Sequence, residues 1–234
     1  MVNIDPEEHL IQISAGGVLL EGLLTLPPGP RGIVLFAHGS GSSRHSPRNR
    51  FVAGVLNQAG LATLLIDLLT PHEEYIDVQT AGVRFDIELL ADRLVEVTDW
   101  LASEPATRTL HIGYFGASTG AAAALVAAAR RTDVIGAVVS RGGRPDLARG
   151  VLEQVRAPTL LIVGGADRLV LTLNRTAYDE LEAPKRLEIV PGATHLFEEP
   201  GALARVAELA RDWFLEYLTS GLQPGFNEQA PGPW

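Results

Sequence analysis

Residues 113–125 read GYFGASTGAAAAL, and the parsing of this stretch decides the fold. An apolar run rich in strand formers leads to Gly116, one small polar residue, Ser118, stands between Gly116 and Gly120, and a run of alanines follows. Strand, sharp corner and helix in that order would present a hydroxyl at the corner. The plainer alternative is a serine that caps the helix and does nothing else. The residues on either side have to separate the two.

Outward from this corner, short apolar runs alternate with amphipathic ones. HLIQISAG (9–16) and VLLEGLLTLP (18–27) form a predicted hairpin through Gly16 and Gly17. GIVLFAH (32–38), LATLLID (61–67), TLHIGYF (109–115), DVIGAVVS (133–140), TLLIVGG (159–165) and RLEIV (186–190) read as further strands. Helical periodicity covers 47–59, 84–102, 118–130, a short piece near 146–155, 172–182 and 201–218. Alternation of this kind predicts an α/β fold: about eight strands, mainly parallel, with helices on both faces and an antiparallel hairpin at the edge. One domain over 1–220 and a loop-like tail over 221–234 are expected, without a large lid. Segment 68–83 is the best candidate for a small flap.

Composition narrows the function classes. The 234 residues are 46% hydrophobic and 20% charged, enough for one sizeable core. A formal net charge of −9, with no run of Lys and Arg, gives no global attraction for nucleic acid or anionic membranes. The chain has no cysteine, which excludes disulfides, thiolate metal sites and a thiol nucleophile. The start, MVNIDPEEHL, lacks the basic and then apolar pattern of a signal peptide, and the alanine-rich run 121–129 is too short to span a bilayer. A cytoplasmic protein, monomeric or homodimeric, with neither nucleic-acid nor membrane partners, is the expectation.

In a parallel sheet ligands gather beyond the carboxyl ends of the strands, and the polar residues there arrive in a telling order. Ser118 follows the fifth strand, Asp167 the seventh and His195 the eighth. GASTG (116–120) has the G-x-S-x-G form of a nucleophile elbow. A serine hydroxyl attacks only when a base takes its proton. His195, in PGATHLF (191–197), is the histidine placed for that on a loop at the active end. His111 is expected inside the fifth strand in a structural role, and His9 at the surface. An acid must hold the imidazole. Asp167, in GGADR (164–168), fits best, with Asp146 as its rival and more simply a helix cap. The Thr119 amide and the Ser40 amide, in HGSGSS (38–43), are the expected oxyanion donors. HGSGSS lacks the G-x-x-x-x-G-K-[ST] pattern of a phosphate loop. Arg141 and Arg44 are candidates for a substrate carboxylate, against the alternative of surface ion pairs with Glu73, Glu74 or Asp146.

AHGSGSSRHSPRN (37–49), IDLLTPHEE (66–74), GYFGASTGAAAAL, VGGADRLV (163–170) and PGATHLFEEPGAL (191–203) together resemble the α/β-hydrolase superfamily. Within it they are most similar to the dienelactone-hydrolase-like branch, over roughly residues 15–218. The resemblance implies a lidless esterase fold acting on a small-molecule ester, with Ser118 as nucleophile, Asp167 as acid and His195 as base. Neither a cofactor nor a metal is expected. One departure stands out: founding dienelactone hydrolases carry cysteine where this chain has Ser118. Acyl transfer or thioester cleavage by the same three residues, and ligand binding without catalysis, are the alternative functions.

Overall fold

The computed structural model describes residues 7–219; the tail expected over 221–234 lies outside them. Eight strands form one sheet in the order β1-β2-β4-β3-β5-β6-β7-β8. They are β1 (Glu7–Ala15), β2 (Val18–Leu26), β3 (Ile33–Ala37), β4 (Ala62–Ile66), β5 (Ile112–Ala117), β6 (Ile135–Arg141), β7 (Thr159–Gly164) and β8 (Lys185–Val190). β1 pairs antiparallel with β2 and β2 antiparallel with β4, while β4 through β8 run parallel. Gly16 and Gly17, both at positive φ (61° and 72°), make the tight hairpin turn that the sequence predicts.

Among the described residues six α-helices cover the sheet: α1 (Pro47–Gln58), α2 (Pro71–Thr80), α3 (Ile87–Ser103), α4 (Thr119–Arg130), α5 (Arg168–Glu180) and α6 (Ala202–Thr219). The strand residues alternate between two cores because successive side chains point to opposite faces. Leu35, Tyr114 and Val138 pack with α3 and α4 on one face. Phe36, Phe115 and Val139 pack with α1 and α6 on the other. β3, β4, β5 and β7 are buried along their whole length, as strands covered on both faces must be.

Several expectations shift. The piece near 146–155 is two short 3-10 turns, Pro145–Ala148 and Leu152–Gln154, rather than a helix. α5 begins at Arg168 and not near 172, because Asp167 caps it. His111 stands exposed just before β5 instead of inside it. His9 lies within β1, opposite Leu24, and is partly buried.

Segment 68–83 contains α2, and its base is tied down. Thr70 and Glu73 form a reciprocal capping box (2.8 and 3.2 Å). The fully buried Arg93 of α3 reaches Glu73 with two hydrogen bonds (2.6 and 2.9 Å) and the Leu68 carbonyl with a third (2.6 Å). Partial burial pushes the Glu73 carboxyl up, but Arg93 and Thr70 outweigh it and hold it below its ordinary value. At the far end Asp77, also buried, accepts from the Arg84 amide and side chain (2.8 and 2.6 Å).

His38 links this segment to the end of β3. Its Nδ1 donates to the Gly39 carbonyl (3.0 Å) and its Nε2 accepts from the Leu68 amide (2.9 Å), so the ring is held as the neutral tautomer. Burial lowers its pKa, against smaller opposing effects of Gly39 and Asp67. Below the ordinary imidazole value of 6.5 the unfolded chain therefore binds a proton that the folded chain refuses, and stability falls with pH. Urea titrations between pH 7.5 and 5 should show His38→Gln losing less stability across that interval than wild type.

The corner at Ser118 is tightly packed against backbone. A Cβ on Gly120 would lie 2.2 Å from the Ala37 carbonyl oxygen, and one on Gly116 would lie 2.4 Å from Ala121 Cα. Both clashes are with backbone, which cannot rotate away. Gly120→Ala should therefore destabilise the fold by about 1–3 kcal/mol or more, read as a lower urea midpoint.

Candidate active site

Ser118 sits between β5 and α4 with φ 51° and ψ −120°, a conformation that non-glycine residues rarely adopt. Its amide donates to the Arg141 carbonyl (3.2 Å), and its carbonyl accepts from Ala121 and Arg144 (both 3.1 Å). It occupies the helix N-cap position, yet its side chain makes no capping hydrogen bond. The capping alternative for Ser118 therefore has no contact behind it. Ser118 is partly exposed at the end of the sheet, at the amino-terminal end of α4.

Asp167 and His195 meet across two loops. His195 Nδ1 lies 2.7 Å from Asp167 Oδ2, while Asp167 Oδ1 accepts from the Val170 amide (3.4 Å) and caps α5. The cap fixes the carboxylate, and the carboxylate fixes the ring. The loops themselves are stitched by Gly165 N–H to Val190 (2.8 Å) and Ala166 N–H to Ala193 (2.9 Å). Gly164 permits this approach, since a Cβ there would lie 2.3 Å from the Ala193 carbonyl. Phe197, buried and at φ 55°, anchors the far side of the histidine loop. The rival acid, Asp146, faces elsewhere: Arg144 holds it with two hydrogen bonds (2.8 and 2.7 Å) and keeps its carboxyl below the ordinary range.

Residues 141–144 bring the serine and the histidine to one place. Arg141 and Arg144 bind the Ser118 backbone, and a Cβ on the intervening Gly142 would touch the His195 ring at 3.5 Å. Among the described residues Ser118 Oγ makes no hydrogen bond, so the ring's one polar contact is with Asp167. Such contacts are commonly long before substrate binds.

Ser40 and Thr119 are also brought together, with Oγ and Oγ1 3.1 Å apart. Gly39 packs against the elbow, its position 2.9 Å from the Ala117 carbonyl as judged by a Cβ placed there. Beside this pair opens a cavity of about 250 Å³, walled by Leu68, Leu69 and Val78 of the α2 segment and by Leu90 of α3. These apolar walls and the His38 tether were not among the residues singled out from sequence. Nothing in a single run of residues marks them, because they converge from three separate elements.

The two candidate arginines differ. Arg44 is neutralised by the chain's own carboxylates: its amide reaches Asp67 Oδ1 (2.5 Å), and its guanidinium pairs with Asp67 and with Glu21 (2.5 Å). Its expected partners, Glu73 and Glu74, are not the ones it takes. Arg141 is 8% exposed, and neither its Nε nor its Nη1 has a partner among the described residues. Burial and the neighbouring Arg48 pull its pKa down to about 10. Among the described residues no group of three or more His, Asp or Glu is arranged to hold a metal ion, and no helix is long and apolar enough to cross a membrane.

Known proteins share this chain's sequence and fold. The model of the dienelactone hydrolase family matches residues 20–219. A crystal structure of dienelactone hydrolase from Anabaena variabilis superposes with a TM-score of 0.90 at 63% identity, covering 92% of this chain and 99% of that one. Est1E from Butyrivibrio proteoclasticus shares the fold at 18% identity and a TM-score of 0.75, over 88% of this chain and 98% of that one. A Mycobacterium tuberculosis protein named "Putative phosphoribosyl transferase" is 62% identical over 208 residues, 89% of this chain and 46% of that protein. The chain thus spans about half the length of that relative. The match over 20–219, together with the elbow and the strand order, means that this chain belongs to the dienelactone hydrolase family of α/β hydrolases.

Proposed function

We propose that this hydrolase cleaves carboxylic esters or lactones of small or soluble compounds through an acyl-enzyme on Ser118. The observation that carries the reading is the convergence of a strained, uncapped Ser118 with a His195 ring locked onto Asp167 at 2.7 Å. His195 Nδ1–H donates to Asp167, which leaves Nε2 free to accept the Ser118 proton as Oγ attacks the carbonyl carbon. The amides of Thr119 and Ser40, with the positive end of α4, stabilise the tetrahedral oxyanion. Collapse expels the alcohol with the proton from His195. Water then enters by the same route and attacks the acyl carbon as His195 takes its proton; the bond to Ser118 Oγ breaks, His195 returns the proton to Oγ, and the acid is released.

Serine in place of the cysteine of founding dienelactone hydrolases makes the nucleophile depend more on that base. Ester hydrolysis agrees with the family, and one solved structure that shares this fold is of Est1E from Butyrivibrio proteoclasticus with ferulic acid bound. The mycobacterial name concerns a chain about twice as long, and this reading assigns phosphoribosyl transfer to the part that has no counterpart here. Acyl transfer by the same residues predicts faster deacylation when alcohols or thiols are added, whereas hydrolysis predicts no such gain.

A fluorophosphonate probe should label wild type and spare Ser118→Ala; equal labelling of both would remove Ser118 from the reaction. Ester turnover should fall by roughly 10⁵–10⁶-fold in Ser118→Ala. Asp167→Asn should lower kcat by about 10⁴-fold, since the ring loses its tautomer and its counter-charge. The cavity beside Ser40 and Thr119 has room for short acyl or alcohol groups. On p-nitrophenyl esters kcat/KM should peak at short chains, and a steep rise toward long chains would contradict the assignment.

A further inference from the structure

Besides its apolar walls, the cavity beside Ser40 and Thr119 is lined by Glu74, Asp77 and Arg84. Two of these charges cancel. The buried Asp77 carboxylate accepts from the Arg84 amide and Nε (2.8 and 2.6 Å), and its carbonyl accepts from Nη2 (3.1 Å). His38, also in the cavity wall, is held neutral by its two backbone contacts. Glu74 is different. It stands in the first turn of α2 with its amide on the Thr70 carbonyl (2.9 Å), while its neighbour Glu73 turns to Arg93. Among the described residues the Glu74 carboxylate takes neither a hydrogen bond nor an ion pair.

The nearby cations are already engaged: Arg44 by Asp67 and Glu21, Arg84 by Asp77, and Arg93 by Glu73. Burial and the repulsion of Asp67 raise the Glu74 pKa, Asp77 adds to the rise, and Arg44 opposes it only in part. An acid in the first turn of a helix gains from the helix dipole, but Glu73 already fills that role through the capping box. A carboxylate partly removed from water and repelled by two others gains more from an incoming cation than an open surface carboxylate does. Beside it Leu68, Leu69, Val78 and Leu90 offer aliphatic walls that suit a carbon stem.

We propose that Glu74 receives an ammonium group of the substrate, so that the cavity takes a short aliphatic chain ending in a cationic nitrogen. This rests on the ester-hydrolase reading for its turnover, though not for its binding. The substrate class is then a small ester with an amine at the end of one arm. The stem lies along Leu68, Leu69 and Leu90, the ammonium donates to the Glu74 carboxylate, and the ester carbonyl meets the Ser40 and Thr119 pair that lines the same cavity.

Binding is tested first, so that a failure of catalysis does not conceal the result. Ser118→Ala protein is titrated calorimetrically with n-butylammonium chloride and with 1-butanol at fixed ionic strength. The ammonium should bind saturably and at least about tenfold more tightly than the alcohol, and the further change Glu74→Gln should remove that preference. Val78→Lys gives a second variant, because positions 74 and 78 are i and i+4 on α2. The new lysine supplies Glu74 with an internal cation and should abolish the preference with the carboxylate still in place. No saturable binding of n-butylammonium, equal affinity for the alcohol, or a preference that survives either change overturns the proposal. In turnover, kcat/KM is compared within two isosteric pairs: 4-aminobutyl acetate against pentyl acetate, and methyl 6-aminohexanoate against methyl heptanoate. In one pair the amine should be favoured, and that ratio should fall at least about tenfold in Glu74→Gln. The pair that responds shows whether the alcohol or the acyl group enters the cavity. Ratios unchanged in both pairs place the amine elsewhere and overturn the proposal. If wild type turns over no ester while n-butylammonium binds as expected, the esterase reading falls and the cation site stands.

Discussion

The close approach of α4 to the ends of β3 and β5 is the constraint on which the active end depends. It is possible only because Gly116 and Gly120 have no Cβ to strike Ala121 and the Ala37 carbonyl. Once α4 is seated there, the chain must turn within a single residue, and Ser118 absorbs the turn at φ 51°. The same contact sets Thr119 beside Ser40, so the elbow and the loop after β3 are placed by one packing event. Ten of the twelve residues of α4 are buried, most of them alanine, which lets the helix lie close to the sheet along its length.

Around that rigid corner the remaining polar groups are held by local devices rather than by long-range attraction. Asp167 is positioned by capping α5 and in turn positions His195. The α2 segment is fixed at its base by the buried Arg93 and at its far end by Asp77 with Arg84. His38 ties the loop after β3 to Leu68 while remaining neutral. Most of the buried polar atoms in these devices are hydrogen-bonded, although the Nε of Arg93 has no partner among the described residues. Against this background the unpartnered carboxylate of Glu74 on the cavity wall is an exception, and exceptions of this kind tend to gather where ligands bind.

The order of elements was legible in the sequence because apolar runs covered on both faces leave few alternatives to a parallel strand. The hairpin at Gly16 and Gly17 was legible through its turn residues. Residues 146–155 depart from the expected helix because Pro145 and the surrounding polar residues support single turns but no continuous helix. α5 starts earlier than its periodicity shows, because Asp167, the residue expected to hold the imidazole, also caps the helix. Arg44 could not be resolved from sequence, since Glu21 and Asp67 lie far from it along the chain and meet it only through the pairing of β2 with β4.

Sequence by itself determined the strand–corner–helix at Ser118 and the placing of Asp167 and His195 after successive strands. Local spacing and glycine positions carry that information directly. Only the tertiary structure decided that Asp167 rather than Asp146 meets the imidazole, because Arg144 captures Asp146 within its own turn. It alone also decided that Arg44, and not Arg141, takes carboxylates of the chain itself. Pairing and burial depend on residues brought together by the sheet, and no window along the chain contains both partners.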